Sequence, residues 1–495
     1  MYHPTSKEFL KLASTYNVIP VYQEINADLD TPVSSFLKMK KDDYAFLLES
    51  VEGQEKIARF SFLGSKPRLI IKSRGPHIEM VSPQQKINKR FITQSHPLEE
   101  MRKIMRDFQA ASLSALPRFF GGLVGYLGYD MVRFFETIPD RNPDALKFPD
   151  AVFLLTENLL IFDHLNHTIK IVNNIILPKV QKKLSRRQKI NLYQEALRKI
   201  ETIRNDLHQP LLEKRHQQTR LPSAKIKSNL KKAEFKAMVS KAKTYIRRGD
   251  IIQVVLSQRF GIKTKKEPFD IYRNLRSLNP SPYMFFLKLK DVYLVGASPE
   301  MLVRCEEGRV ETRPIAGTRQ RGKNAEEDRI LESQLLKDKK ERAEHIMLVD
   351  LGRNDLGRVC QPGKVWVSEF MKIEKYSHVM HIVSEVSGVL DKRYDIYDVL
   401  KACFPAGTVS GSPKIRAMEI IDELENTRRG PYAGCVGYFS FSHNLDTCIT
   451  IRTIAIKGNT AYIQAGAGIV ADSVPEKEYR ESVNKAKALF EAVVN

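Results

Sequence analysis

The chain has 495 residues, 42% of them hydrophobic and 28% charged, an ordinary balance for a folded protein that can bury a large core in two or three domains or one interleaved body. Its 80 Lys and Arg against 58 Asp and Glu leave a formal charge of +22. Even so, no zinc-finger or RNP-like pattern and no aromatic-interleaved basic strand accompanies the basic clusters at 179–187 and 214–232. Nucleic-acid binding is therefore not expected, and the charge suits anionic substrates or an acidic partner. No apolar run reaches membrane-span length, the start MYHPTSKEFLKLAS lacks signal-peptide anatomy, and the five cysteines show no C-x-x-C spacing. The expectation is a cytoplasmic protein with no membrane association, disulfide framework or zinc site.

The first two hundred residues predict strands more than helices. Residues 44–50 (YAFLLES), 57–63 and 68–72 are short apolar runs rich in aromatics, with a turn at Glu52 and Gly53. Glu49 ends the first run, and a carboxylate there needs a partner if buried. A glycine-punctuated strand at 121–130 (GGLVGYLGYD) has a loose echo at 432–439 (YAGCVGYF). Tyr193, Ala196, Leu197, Ile200, Ile203 and Leu207 keep helical spacing, and a loop through Gln217 and Pro222 follows. This places a boundary near 220, between an N-terminal domain, 1–220, and a second domain, 221–495.

Phe235, Met238, Ala242, Tyr245 and Ile246 mark the next helix, closed by Arg247, Arg248 and Gly249. Gln253 lies in an otherwise apolar strand, 251–260, and must find partners if buried. Two hairpins follow, 284–295 and 301–313, and between them GASPE presents the carboxylate of Glu300. A turn rich in donors is expected at 313–319 (RPIAGTR), then one helix over 326–351 carrying Glu341 and Glu344 one turn apart. His378 and His381 do not form an HExxH pattern, which favours hydrogen-bonding or acid/base roles, and 408–414 (TVSGSPK) suits a Gly/Ser loop that cradles anions. Near the C-terminus, 463–487 reads IQAGAGIVADSVPEKEYRESVNKAK. Ser473 as N-cap, Pro475 in the first turn and Glu476 as capping-box partner predict a helix on which Glu478 and Glu481 share a side, or on which Lys485 simply pairs with Glu481. Two Glu-x-x-Glu faces on two helices suit a single hard cation, Mg²⁺ better than zinc or iron, against the alternative of two solvated acidic faces.

The motifs ASPE (297–300), RPIAGT (313–318), EHIMLVDLGRND (344–355), FPAGTVSGSPK (404–414) and the run 464–485 closely resemble the chorismate-utilising enzymes. The likeness is strong over the C-terminal 270 residues or so and weaker before them, through residues 47–50. It implies an α+β fold of large antiparallel β-sheets packed as a sandwich with helices on the outside. It also implies an Mg-dependent lyase activity, on the branch that converts chorismate and ammonia to anthranilate and pyruvate in the first step of tryptophan biosynthesis. By this resemblance Glu344 and Glu481 would ligate Mg²⁺, with Glu341 and Glu478 reaching it directly or through water. Arg452, Tyr432 and the backbone of Gly466 and Gly468 would clamp the substrate carboxylate, with Thr318 and Lys485 also in the substrate site. Glu300 would be the general acid, with His381, Thr408 and Gln253 beside the reacting ring.

Related branches differ at single positions. A Lys stands at the place of Gln253 in isochorismate and salicylate synthases, where it activates water. Many aminodeoxychorismate synthases carry a Lys in place of Ala316. Glu49, Ser50, Pro282, Tyr283 and Met284 resemble the family's tryptophan feedback pocket. Nothing in the chain resembles a glutamine-hydrolysing module, so a separate glutamine amidotransferase subunit is expected, in a heterotetramer of two copies of each.

Overall fold

In the computed structural model, residues 1–39, 42–50, 59–82, 87–178, 184–211, 226–376 and 379–495 are described. Their strands collect into two sheets of 13 and 12 strands whose ladders run antiparallel. The strand Tyr283–Leu289 shows why the sheets stack as they do. A side-chain period of two sends Phe285, Leu287 and Leu289 to one face and Met284 and Phe286 to the other. The first set joins Tyr126, Leu302 and Val436 of the second sheet in the core of a sandwich. The second set packs beneath outer helices, against Phe36, Phe269, Tyr272 and Leu489. This is the α+β sandwich with external helices that the motifs implied.

Strands from before and after residue 220 share both sheets. Tyr44–Glu49 pairs with Tyr283–Leu289, and Gly122–Leu127 pairs with Cys435–Ser440, setting Gly125 opposite Gly437. The two glycine-punctuated runs are thus direct neighbours. Residue 220, Gln217, Pro222, the Glu52 and Gly53 turn and His378 lie outside the described residues. The helices over 193–207 and 235–246 form as Arg186–Leu207 and Lys232–Arg247, the latter followed by Gly249 at φ +81°. All five cysteines are buried and unpaired, and no helix among the described residues is long and apolar enough to cross a membrane.

Four local expectations are corrected. The helix expected over 326–351 is two, Ala325–Lys337 and Lys339–Gly357, because the Asp338 carboxylate accepts the Lys340 and Glu341 N–H groups and starts a fresh helix. The turn at 313–319 is largely the strand Ile315–Gln320, with a bulge between Ala316 and Thr318 where Gly317 takes φ +70°. The Gly/Ser loop at 408–414 is one helical turn, Gly407–Ser410, then the short strand Gly411–Ser412 and a helix from Lys414, whose Nζ sits 2.7 Å from Asp355. Ser473 does not cap the last helix: Val474 holds that place, and the Ser473 hydroxyl accepts from the N–H of Val470. Glu476 goes instead to Lys232 and Arg480, so no capping box closes.

Candidate active site

The chemistry gathers where the crossover between the sheets meets two helices. Glu300 stands in that crossover, between Val292–Ser298 of the larger sheet and Met301–Glu306 of the smaller one. Its side chain is 8% exposed, and burial pushes its carboxyl up to about 8, against the pull of the Thr408 hydroxyl and the Lys485 ammonium. A carboxylic acid that keeps its proton at neutral pH is a proton donor in waiting. Glu300 and Thr408 line one small cavity of about 40 Å³.

His381 lies in Val379–Leu390, paired with Thr318 across the ladder. Its Nδ1 lies 3.1 Å from both the Thr318 hydroxyl and the Gly317 carbonyl. Burial holds its pKa below the usual imidazole value, with the nearby Arg452 charge acting the same way against the Gly317 carbonyl. A neutral ring that donates from Nδ1 to that carbonyl keeps a lone pair on Nε2.

The anion clamp is built on glycine. Thr460–Ile469 runs beside Gln253–Lys263 with Gly466 opposite Ser257 and Gly468 opposite Val255. A Cβ on Gly468 would stand 2.5 Å from the Gln253 amide nitrogen, and one on Gly466 would stand 3.0 Å from the Tyr432 hydroxyl. Only glycine leaves this space open. Arg452 takes φ +49°, a strained backbone of the kind found at working sites, and its Nη1 donates to the Lys485 carbonyl at 2.8 Å. Lys485 Nζ reaches the Gly466 carbonyl at 3.2 Å and Glu481 at 2.6 Å, the i,i+4 pairing expected of a solvated face. Tyr432, its hydroxyl pushed up to about 12 by burial, lies against the Arg429 guanidinium, which a 2.7 Å ion pair with Glu425 holds in place.

The four glutamates arrive as two pairs. Burial and the neighbouring Glu344 raise Glu341, and burial raises Glu478 with Glu481 adding to the effect. Lys340 on the first helix lies close enough to the second pair to draw Glu478 back down. Gln253 Nε2 donates to Glu344 at 3.2 Å, which gives the buried glutamine one partner. Among the described residues no three His, Cys, Asp or Glu close around one point. Three half-buried glutamates, Glu341, Glu344 and Glu478, with the exposed Glu481 make an all-oxygen donor set that nevertheless fits a hard cation.

The residues at 49–50 and 282–284 are not part of this centre. Glu49, Ser50, Pro282, Tyr283 and Met284 line one cavity of about 710 Å³ together with Arg118, Arg304 and Asp446. Glu49 finds the partners it needed: the Tyr272 hydroxyl, and Arg276 at 3.2 Å. The Ser50 hydroxyl is buried without one. Sequence inspection passed over Arg304, although a cation in the run MLVRC is as conspicuous as Glu49 in YAFLLE; it pairs with Asp446 at 3.2 Å. It also passed over the Arg429–Glu425 pair, whose i,i+4 spacing falls just beyond the helix Lys414–Leu424.

Comparison with known proteins agrees with this geometry. The family model described as chorismate binding enzyme matches residues 44–491. The chain is 48% identical over 502 residues to anthranilate synthase component 1 of Acetivibrio thermocellus, covering 100% of this chain and 99% of that one. It is 50% identical over 489 residues to the protein of the same name from Aquifex aeolicus, covering 98% and 97%. The crystal structure of anthranilate synthase component I from Streptococcus pneumoniae superposes with a TM-score of 0.75 at 38% identity, covering 88% of this chain and 93% of that chain.

Proposed function

The chain belongs to the chorismate-binding enzymes, and we propose that within them it is the aminase subunit of an anthranilate synthase, converting chorismate and ammonia to anthranilate, pyruvate and water. The observation that carries this reading is the buried Glu300, whose carboxyl burial pushes up to about 8, near Lys485 and the Arg452, Tyr432, Gly466 and Gly468 clamp. Clamped by its carboxylate, chorismate would lose its ring hydroxyl as water with the Glu300 proton while ammonia adds to the ring. The neutral His381 could then take the ring proton released as the enolpyruvyl group departs, leaving an aromatic ring. Gln253 has no basic nitrogen with which to activate water, and Ala316 is no nucleophile, which favours ammonia over the chemistries of the sibling branches.

Glu344 and Glu481, with Glu341 and Glu478, would hold Mg²⁺, whose charge when bound would neutralise the ring carboxylate of the substrate. A glutamine amidotransferase subunit in the cytoplasm would supply ammonia, two copies of each chain forming a heterotetramer. With chorismate, Mg²⁺ and ammonium salts, the purified chain is expected to produce anthranilate fluorescence. With glutamine in place of ammonium it should produce none until the partner is added. Release of glutamate from glutamine by the isolated chain would overturn this division of labour.

The 710 Å³ cavity suits feedback by tryptophan. Its paired carboxylates and guanidiniums match a zwitterion, and Leu48, Phe60, Phe62 and Met284 offer apolar walls. Tyr283 of this cavity pairs with Ser298, two residues before Glu300, so an occupant has a short route to the acid. Tryptophan should lower activity, and Ser50→Phe, which pushes a ring into the cavity, should leave the enzyme active and insensitive. Inhibition that persists in the variant would place the inhibitor elsewhere.

A further inference from the structure

Glu300 borders a cavity of about 40 Å³ in which neither the clamp residues nor the four paired glutamates take part. It is therefore reached without passing the substrate. Gly352 and Asp355, three apart on one face of the helix Lys339–Gly357, form one wall. Thr312, Arg313 and Thr408 stand around the same space. A Cβ on Gly352 would come 2.9 Å from Thr312 Oγ1, so the glycine keeps the space before that hydroxyl open.

Three buried polar atoms of these residues have no hydrogen-bond partner: Oγ1 of Thr312, Nε of Arg313 and Oγ1 of Thr408. The Thr408 hydroxyl is close enough to Glu300 to draw its pKa down, yet makes no direct hydrogen bond. A buried polar atom left unpaired forfeits its solvation, and three around one cavity call for ordered water. The space exceeds the roughly 10–15 Å³ that one water needs, and two hydroxyls with an N–H give it enough partners. Asp355 is the other carboxylate among the described lining residues. Its side chain is 11% exposed and lies 2.7 Å from Lys414 Nζ. Burial raises its pKa, Lys414 and Arg358 draw it back, and the neighbouring Cys403 thiol is pushed up by burial and stays neutral.

We propose that water in this cavity joins Asp355 to Glu300 and returns a proton to the acid after each turnover, an inference that rests on Glu300 as the proton donor. When the ring hydroxyl departs as water it takes the Glu300 proton and leaves a buried carboxylate. Asp355, held ionised at rest by Lys414, takes a proton from bulk water at its exposed edge. It passes that proton to the cavity water, which gives one to Glu300, and Asp355 is again a carboxylate. The proton that the added nitrogen sheds as the ring becomes aromatic leaves by the substrate's mouth, so the count closes. The Thr312 and Thr408 hydroxyls both donate and accept and can hand a proton on, whereas the Arg313 N–H only donates and so orients the water. A rear entry suits an acid whose front is shut off from bulk water while substrate or product is bound.

The test uses the complex with its glutaminase, fed with glutamine so that little ammonium is present to act as an acid from the front. Asp355→Asn keeps the shape and cannot carry the proton. Thr312→Val removes one hydroxyl from the water path and leaves every charge in place, so it carries the test if an unpaired Lys414 keeps the first variant from folding. By rapid quench at neutral pH, the first anthranilate per site, made with Glu300 already loaded, should form at the wild-type rate in both. Later turnovers should slow by about tenfold in Asp355→Asn and about threefold in Thr312→Val. Lowering the pH should then restore them relative to wild type, by up to about tenfold per pH unit, as direct protonation from bulk replaces the relay. A burst without that recovery marks slowed product release and overturns the relay. So do variants whose first and later turnovers fall by one factor, or that match wild type throughout. Glu300→Gln as fast as wild type would overturn the acid itself, and the relay with it.

Discussion

Glu300→Gln is expected to lower kcat by about 10²- to 10⁴-fold, or about 3–5 kcal/mol of transition-state stabilisation, because the amide fills the same space and has no acidic proton to give. The pH dependence gives the sign of the role. Burial holds the Glu300 carboxyl at about 8, so the acid is loaded below that pH and empty above it. At constant free ammonia, the wild-type rate should therefore stay level up to about pH 8 and then fall by about tenfold per pH unit. At constant total ammonium the growing fraction of free ammonia pushes the other way, so the comparison must hold the free base fixed. The Gln variant should lack the falling limb. A variant as fast as wild type, or a wild-type rate that keeps climbing well above pH 8 at fixed free ammonia, would remove Glu300 from the role of acid.

Glu344→Gln and Glu481→Gln should each abolish Mg²⁺-dependent turnover while leaving the fold intact. Each exchanges an anionic oxygen for a neutral amide in a donor set whose attraction for a hard cation is its charge. Stability should change by no more than about 1 kcal/mol. The Glu481 pair with Lys485 has both side chains more than a third exposed, and exposed pairs are worth little. Calorimetric titration with Mg²⁺ in the presence of chorismate supplies a readout apart from turnover: heat in wild type, none in either variant. Full activity and unchanged Mg²⁺ binding in both variants would leave the paired carboxylates as solvated helix faces.

Local chemistry is legible in the chain itself. Sequence pattern placed strands at 44–50 and 284–289, which form as Tyr44–Glu49 and Tyr283–Leu289, and the helix closed by Gly249, because side-chain alternation and helix-end residues act over a few positions. The i,i+3 spacing of Glu341 with Glu344 and of Glu478 with Glu481 needed nothing beyond helix geometry. A lone carboxylate at Glu49 and a lone amide at Gln253 announced that partners must exist. The motifs from 297 to 485 carried the fold and the site residues by resemblance. Where local competition was close, the chain misled: Asp338 split one expected helix in two, and the Glu476 ion pairs won over a capping box with Ser473.

Tertiary structure decided everything that depends on which distant residues meet. Tyr272 and Arg276 were not to be named as the partners of Glu49, nor Glu344 as that of Gln253, from spacing alone. The Glu300 proton is a property of its enclosure between two sheets and not of the ASPE motif. The open space of the clamp exists only because register sets Gly466 and Gly468 opposite Ser257 and Val255. Secondary structure follows from neighbours a few positions away, whereas pKa, cavity and contact follow from burial and register across hundreds of residues, and those are settled only when the sheets close on one another.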